Sequence, residues 1–498
     1  MIDPPSSPRR HPAIAAFLSF LFPGLGQAYL GERRLALVLA VPVAILLLAA
    51  VVAVAIGGTP ALNSAFSAGF LTALVALDEA LLAWRLFAIG QAGIRPPEPS
   101  AAAVPVTVGG PSPGRQTIDA GRIGTIAFTI FLMLATVGMH AWAGLVIGRV
   151  NSTLADVFSG GGGGAPGGAG GNRPPLNQPE YRWDGTDRIN FLLLGIDSGP
   201  GRTEALTDTI LVVSVDPVTR QAVMVSVPRD TGFLPLPDRS VYPDALYPNK
   251  INELTTEASE NPTLWCPDLP EDRAQACGLR TLERTIGLYL GIPIHYYATI
   301  DLEGFTHLID EVGPLRLCLP GKLVDPTYNG PGDTWLNKRR GVELPAGCTE
   351  YDGQHALAYA RARKGYLEMA DGTQVQLDDF KRADRQQQVL LELRNELAKM
   401  DLFFDLPDVL QAVGTTVQTD FPRDQAGNLA SLLPLIAGTD IRRVVLDLPR
   451  FVDPPPEPEV NYMLVPRRDD VRAEMRRLFG RRNLEGWYIA TRDPGPEA

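Results

Sequence analysis

Cysteine is scarce in this chain: Cys266, Cys277, Cys318 and Cys348 are the four in 498 residues, and no two stand as a CxxC pair. That excludes a zinc ribbon. Histidine numbers five, and His295, His307 and His355 have no metal-ligand spacing, so structural roles are expected of them. Positive charge is not in excess either. With 45 Lys and Arg against 56 Asp and Glu the net charge is −11, so the basic footprint that neutralises nucleic-acid phosphates is missing. No nucleic-acid partner is expected, and any anion site must be local. HExxH, GxSxG and Walker A elements are absent, which argues against a zincin, an α/β-hydrolase and a P-loop NTPase. Gly (49) and Pro (44) are plentiful, and at this length they point to several packed units with connectors.

Long apolar runs fill the first 150 residues. Residues 35–58 carry no charge and residues 123–148 only His140 as an ionisable group; each is long enough for a hydrocarbon layer of about 30 Å. Residues 61–90 are long enough as well, but Asp78, Glu79 and Arg85 fall inside them, at a cost unless paired or near the interface. Three crossings are expected. Arg33 and Arg34 precede the first, Arg95, Arg115 and Arg122 lie between the second and third, and the loop at residues 57–64 has no Lys or Arg. The positive-inside rule then sets the amino terminus inside and everything after residue 149 outside. The earlier stretch at residues 13–31 contains a Pro-Gly break and reads as interfacial or re-entrant. No small-residue cleavage site follows a short apolar run, so a cleaved signal peptide is not expected.

The expected division is a membrane region at 1–93, a cytoplasmic Pro-rich loop at 94–122, a transmembrane helix at 123–148, a Gly/Pro-rich extracellular linker at 149–187, an extracellular globular domain at 188–480 and a tail at 481–498. All four cysteines fall in the exported part. Two disulfides are expected there, and of the three possible pairings the sequence-local one is favoured, Cys266 with Cys277 and Cys318 with Cys348.

In that part "RINFLLLGID" is a continuous apolar run of the kind that forms a central strand covered on both faces. "TILVVSVDPVTRQAVMVSVPRD" reads as a hairpin. Helices are expected in "GLRTLERTIGLYLG", "LEGFTHLIDEVG", "DGQHALAYARAR", "LDDFKRADRQQQVLLELRNELAKM", "LPDVLQAVGTTV" and "LASLLPLIAG", and strands in "HYYATID", "PLRLCLP" and "IRRVVLDLP". "RDDVRAEMRRLFG" reads as a surface helix. The alternation predicts an α/β fold, an αβα sandwich around a mixed central β-sheet, preceded by an all-α transmembrane region.

Charged residues interrupt this apolar pattern at strand ends. Asp197 ends one run and Asp208 begins the next, so one chain reversal can bring them together, and two carboxylates so placed suit a Mg²⁺ ion. Arg361 and Arg363 share a face if their segment is extended. Arg382, Arg385 and Gln386 share a helix face at i, i+3 and i+4. With Arg229 they supply planar guanidinium forks that match phosphate oxygens, and the set describes a pyrophosphate site.

The ordered motifs "NFLLLGIDSGPG", "TDTILVVSVDP", "VSVPRDT", "NKINEL", "DGQHALAYARARK" and "DDFKRADRQQQVL" resemble the LytR-CpsA-Psr family of cell-wall glycopolymer ligases, from about residue 188 to about residue 400. The resemblance implies a membrane-anchored phosphotransferase that moves a glycopolymer from a polyprenyl-pyrophosphate carrier to peptidoglycan through a phosphodiester. By motif position, Asp197 and Asp208 would hold Mg²⁺. Arg229, Arg361, Arg363, Arg382 and Gln386 would clamp the pyrophosphate, and Asp230 would orient Arg229 or transfer a proton. The prenyl chain would lie between sheet and helices, lined either by Leu282, Ile286, Leu288 and Leu290 or by Phe305, Leu308 and Ile309. This chain has Leu206 where the family usually has Arg, and Lys381 where Gly is common; Arg202 is the candidate substitute for the first, and Lys381 would return a cation. Partners implied are the lipid-linked glycopolymer, peptidoglycan and the bilayer. Two other activities fit the same residues: a polyprenyl-pyrophosphate phosphatase, and a non-catalytic membrane-tethered binding or regulatory protein.

Overall fold

The computed structural model describes residues 10–56, 63–94, 120–158, 183, 185, 187–197, 206–237, 239–269, 274–329, 341–400, 414, 417–436, 441–455 and 462–479. Arg202, most of the cytoplasmic loop and of the Gly/Pro-rich linker, most of the helix expected at 406–417 and the tail at 481–498 lie outside them. The chain divides into two compact units, Met1–Asn151 and Ser152–Ala498.

The first unit is helical: α1 (Pro12–Leu21), α2 (Leu25–Leu30), α3 (Arg33–Ile56), α4 (Ala68–Gly93) and α5 (Ala120–Val157), whose last turns enter the second unit. The Pro-Gly break separates α1 from α2, and Gly24 takes the left-handed φ of 98° that favours glycine. Two stretches among the described residues are long and apolar enough to cross a membrane, Arg33–Ala53 and Gly121–Val157. Helix α4, expected as a third, does not meet that measure, because Asp78, Glu79 and Arg85 interrupt its apolar surface. Two of these charges are partnered. Asp78 meets His140 Nδ1 at 2.7 Å, and Arg85 Nη2 donates to the Phe20 carbonyl at 2.7 Å. Buried Gln27 ties α2 to α4 through the Ala88 carbonyl and Gln91, both at 2.9 Å.

The second unit is built on a six-stranded mixed sheet. In chain order its strands are β1 (Ile189–Asp197), β2 (Leu206–Asp216), β3 (Gln221–Ser226), β4 (Tyr296–Asp301), β5 (Val417–Thr419) and β6 (Ile441–Val445). In space they run β5-β4-β1-β2-β3-β6. β1–β2, β2–β3 and β4–β5 are antiparallel; β1–β4 and β3–β6 are parallel. The late strand "IRRVV" thus closes one edge of the sheet.

Strand alternation sends successive residues of β1 to opposite faces. On one face Leu192, Leu194, Val212 and Val225 pack under α6 (Ala274–Leu290), which contributes Leu282 and Ile286. A carboxyl-terminal helix, Arg468–Phe479, joins the same core through Val471, Met475 and Leu478. It is therefore a packed layer element, not the surface helix its charges suggested; Arg476 and Arg477 lie on its exposed side, while half-buried Arg472 Nη2 donates to the Leu288 carbonyl of α6 at 2.9 Å. On the other face lie α7 (Leu302–Val312), α8 (Gly353–Arg361) and α9 (Asp379–Leu397), with Ile309, Tyr359 and Val389 in their shared core. The result is an αβα sandwich. Disulfides join Cys266 to Cys277 and Cys318 to Cys348.

Candidate active site

The β1–β2 pairing carries an irregularity at the strand ends. Gly195 pairs with Thr209 and Ile196 with Thr207, so Asp208 is an extra residue bulged out of the ladder. A bulge re-aims side chains locally, and here Asp208 and its neighbour Thr209 both line one cavity, together with Asp197. The two strands also close tightly there: a Cβ on Gly195 would stand 2.9 Å from the Thr209 side chain, so glycine is required.

The cavity, of about 260 Å³, lies between the sheet and helices α7, α8 and α9. Its charged end holds Asp197, Asp208, Arg361, Arg382 and Gln386; its apolar part is walled by residues such as Leu193, Ala298, Phe305, Leu308, Leu390 and Leu393. Along α9 the lining runs from Arg382 to Leu393, about 16 Å at the helical rise. Of the two apolar sets the sequence offered, Phe305 and Leu308 line this space, with Ile309 buried behind them. Leu282, Ile286 and Leu290 belong to the core on the opposite face of the sheet.

The charged groups are held by one another. Arg229 Nη1 meets Asp208 Oδ1 at 2.5 Å, and its Nε lies 3.8 Å from Asp379 Oδ1. Arg361 Nη2 meets Asp197 Oδ2 at 3.2 Å. Arg382 Nη2 donates to the Asp208 carbonyl at 3.0 Å and contacts Asp379 Oδ1 at 3.0 Å, so it ties α9 to the bulge. Burial pulls the Arg229 pKa down, but Asp208, Asp379 and Asp230 more than offset it and hold it above the ordinary value. Burial lowers that of Arg382. The Asp379 carboxyl is raised, chiefly by burial, against the pull of Arg382 and Arg229.

Three expectations are corrected. First, the segment with Arg361 and Arg363 is not extended: Arg361 is the last residue of α8, and the two guanidinium groups reach different carboxylates, Arg361 to Asp197 and Arg363 to Asp379 at 3.8 Å. Second, Arg385 does not share the cavity face with Arg382 and Gln386. It is buried and donates to the carbonyls of Tyr359, at 2.7 Å, and Ala362. Gln386 donates to Ala360 O at 3.4 Å. The carbonyls that α8 leaves open at its end are thereby satisfied from α9, which fixes Arg361. Third, Lys381 adds no cation here; its Nζ pairs with Asp378 at 2.5 Å, and it lines a separate cleft beside Asp384 and Arg443. Asp230 pairs with Lys250 Nζ at 3.3 Å, not directly with Arg229. Leu206 opens β2 opposite Asp197.

Asp379, Asp325 and Lys250 were not singled out from the sequence. Asp379 follows the helix cap Asp378, and an acidic residue in a first turn is ordinary helix chemistry, which hid its second role. Asp325 Oδ2 accepts the backbone N–H groups of Arg363 and Lys364 at 3.0 and 3.1 Å, positioning that loop. Lys250 stands in "NKINEL", a motif that gave no role to its lysine.

Asp197 and Asp208 offer hard oxygen donors on one cavity wall. Among the described residues no group of three or more His, Cys, Asp or Glu makes a metal cage. Two carboxylates, with phosphate oxygens completing the shell, are a usual donor set for Mg²⁺, so the residues fit that ion in the presence of a phosphorylated substrate.

Fold and site together define an α/β protein with an apolar cavity closed by a carboxylate–arginine cluster. The chain belongs to the LytR_cpsA_psr family, whose profile matches residues 172–448. It is similar to the polyisoprenyl-teichoic acid–peptidoglycan teichoic acid transferase TagU of Oceanobacillus iheyensis, 29% identical over 252 residues, covering 51% of this chain and 64% of that one. It is 26% identical over 233 residues to the transferase TagV of Bacillus subtilis, covering 47% of this chain and 49% of that one. With the regulatory protein MsrR of Staphylococcus aureus it shares 29% over 235 residues, 47% and 57% of the two chains. The chain thus spans about half to just under two thirds of the length of these relatives. The crystal structure of B. subtilis TagV aligns with a TM-score of 0.43 at 21% identity, covering 60% of this chain and 98% of that one.

Proposed function

We propose that the protein is a membrane-anchored phosphotransferase that moves a glycopolymer from a polyprenyl-pyrophosphate carrier to a sugar hydroxyl of peptidoglycan. One observation carries the reading: a single cavity joins an apolar channel to a cluster of arginines and carboxylates, complementary to an amphiphile with a long hydrocarbon tail and an anionic head. The family relatives named as teichoic acid transferases support it.

In the transfer, the acceptor hydroxyl oxygen bonds to the sugar-bearing phosphorus. The bond from that phosphorus to the bridging oxygen breaks, and polyprenyl phosphate leaves with the electron pair. Arg229, Arg361 and Arg382, with Arg363 at the rim, neutralise charge on the pyrophosphate and leaving group; such preorganised donors are the main catalytic resource in phosphoryl transfer. Asp230, beside Lys250, takes the hydroxyl proton. Asp197 and Asp208 would hold Mg²⁺, which would supply further neutralisation of the pyrophosphate. The membrane topology proposed is three crossings, α4 included, with the second unit on the extracellular side. Its two disulfides agree with an oxidising compartment.

The test is full-length protein in detergent with a polyprenyl-pyrophosphate oligosaccharide and peptidoglycan fragments, with and without Mg²⁺, comparing wild type and Asp208→Asn. A sugar–phosphate–sugar product that needs Mg²⁺ and falls at least about a hundredfold in the variant is the expected outcome. Free phosphorylated sugar as the product would replace transfer by hydrolysis. Lipid binding without turnover would leave a binding protein.

A further inference from the structure

The family match ends at residue 448, yet the chain returns to the active site after it. Leu464 N–H donates to the Asp230 carbonyl at 2.8 Å, and Gly232 N–H donates to the Leu464 carbonyl at 2.9 Å. Leu464 also bridges Thr231 as a strand would. Residues 462–464 are thereby bound to the backbone of the loop that carries Arg229 and Asp230. Met463 is buried and fills the space where a side chain at Gly232 would stand. Tyr462 is instead 44% exposed.

Exposed aromatic side chains are few on this unit. Among its described residues they are Phe233, 39% exposed, and Tyr462, and both flank the Arg229–Asp230 loop. Scattered exposed apolar residues need no explanation, but Tyr462 stands two residues from the backbone bond that ties its segment to Asp230. Burial first, and then the charges of Asp230, Asp379 and Asp378, raise the Tyr462 phenol pKa above the ordinary value; the hydroxyl stays protonated and able to donate. Lys250 on Asp230, and Arg363, 36% exposed, on Asp379, add hydrogen-bonding groups paired to two of the carboxylates whose charge reaches Tyr462. An aromatic face beside a few convergent polar groups suits a sugar ring, which has an apolar face and a hydroxylated edge.

We propose that Tyr462 is the stacking platform of an acceptor-sugar subsite, holding a polysaccharide ring so that one of its hydroxyls lies beside Asp230. The assignment rests on the transferase reading above and adds to it where the acceptor binds. It makes the segment beyond the family match a determinant of acceptor choice, separate from the donor cavity, where a lining residue would instead control the lipid.

The test uses the full-length protein with Tyr462→Ala and Tyr462→Phe. Direct binding of a peptidoglycan disaccharide-peptide, measured without donor, is expected to weaken about tenfold in Ala and to stay within about twofold of wild type in Phe. In the transfer assay the KM for acceptor rises in Ala, while the KM for donor and kcat at saturating acceptor stay unchanged. Fragment binding by Tyr462→Ala equal to wild type, or no fragment binding by wild type, overturns the subsite. A changed donor KM with unchanged acceptor KM overturns it as well, by assigning the ring to the lipid side. If wild type consumes no donor, the transferase reading falls, and fragment binding still decides the subsite.

Discussion

Asp420 stands just past β5 with 6% exposure, and its carboxylate accepts the Tyr297 N–H of β4 at 2.8 Å. Two residues on in the chain, Thr299 is part of the cavity wall, with Ala298 and Ile300 on either side, so this bond helps set the strand that shapes the site. Burial drives the Asp420 pKa up to about 8 from an ordinary 3.8. Glu283 of α6 is raised too, by burial first and then by the charge of Asp420, with Arg284 and Arg280 pulling the other way. A carboxyl raised on folding binds its proton more tightly in the native state. Its contribution is fully present below the unfolded pKa and is lost as pH rises toward the folded one. At pH 7 the gap from 3.8 corresponds to about 4 kcal/mol for an isolated group at 1.36 kcal/mol per unit, and sharing with Glu283 brings the expectation to about 2–4 kcal/mol. Asparagine has the same shape, carries no charge and can still accept the Tyr297 N–H. Asp420→Asn is therefore expected to raise the thermal midpoint of the second unit at pH 7–8, by roughly 2–4 °C per kcal/mol for a domain of this size, with little gain at pH 4. Thermal unfolding followed by circular dichroism at pH 4, 6 and 8 measures this. An unchanged pH slope, or an Asn variant less stable than wild type at pH 8, would refute the reasoning.

His295 is half-buried by exposure, with its ring desolvated enough to pull its pKa down to about 4, while its Nδ1 accepts the Asn190 N–H at 2.9 Å. Lowering a histidine has the opposite sign, so about 3 kcal/mol is expected to be lost as pH falls from 6.5 to 4. His295→Gln should flatten that acid limb in the same melts. Ala298 faces the cavity opposite Leu193, so Ala298→Phe fills existing space. Its thermal midpoint should stay close to wild type while binding of a polyprenyl-phosphate probe is lost; retained binding would place the hydrocarbon tail elsewhere.

Much of the second unit was legible in the sequence because its elements are local. A nine-residue apolar run, a hairpin turn and the 3.6-residue spacing of α9 each state their own structure. So does the order of the motifs that carry Asp197, Asp208, Arg229 and Arg361. Arg385 shows the limit: its helical spacing matched that of its neighbours, yet what it binds is the end of another helix, and spacing along one element says nothing of what faces it. The same holds for the approach of Arg229 to Asp379 and for Tyr462, where the segments that meet lie far apart in the chain.

The sequence by itself determined the element types, the apolar stretches long enough for a bilayer, the acidic balance and the residue chemistry of a phosphate site, because each depends on composition and period within one segment. Only the tertiary structure decided which face of the sheet holds the cavity, that a bulge turns Asp208 into it, that Arg361 and Arg363 part company at a helix end, and that residue 464 closes on residue 230. Those follow from strand register and from packing between segments, where a shift of one residue reverses a side chain's direction.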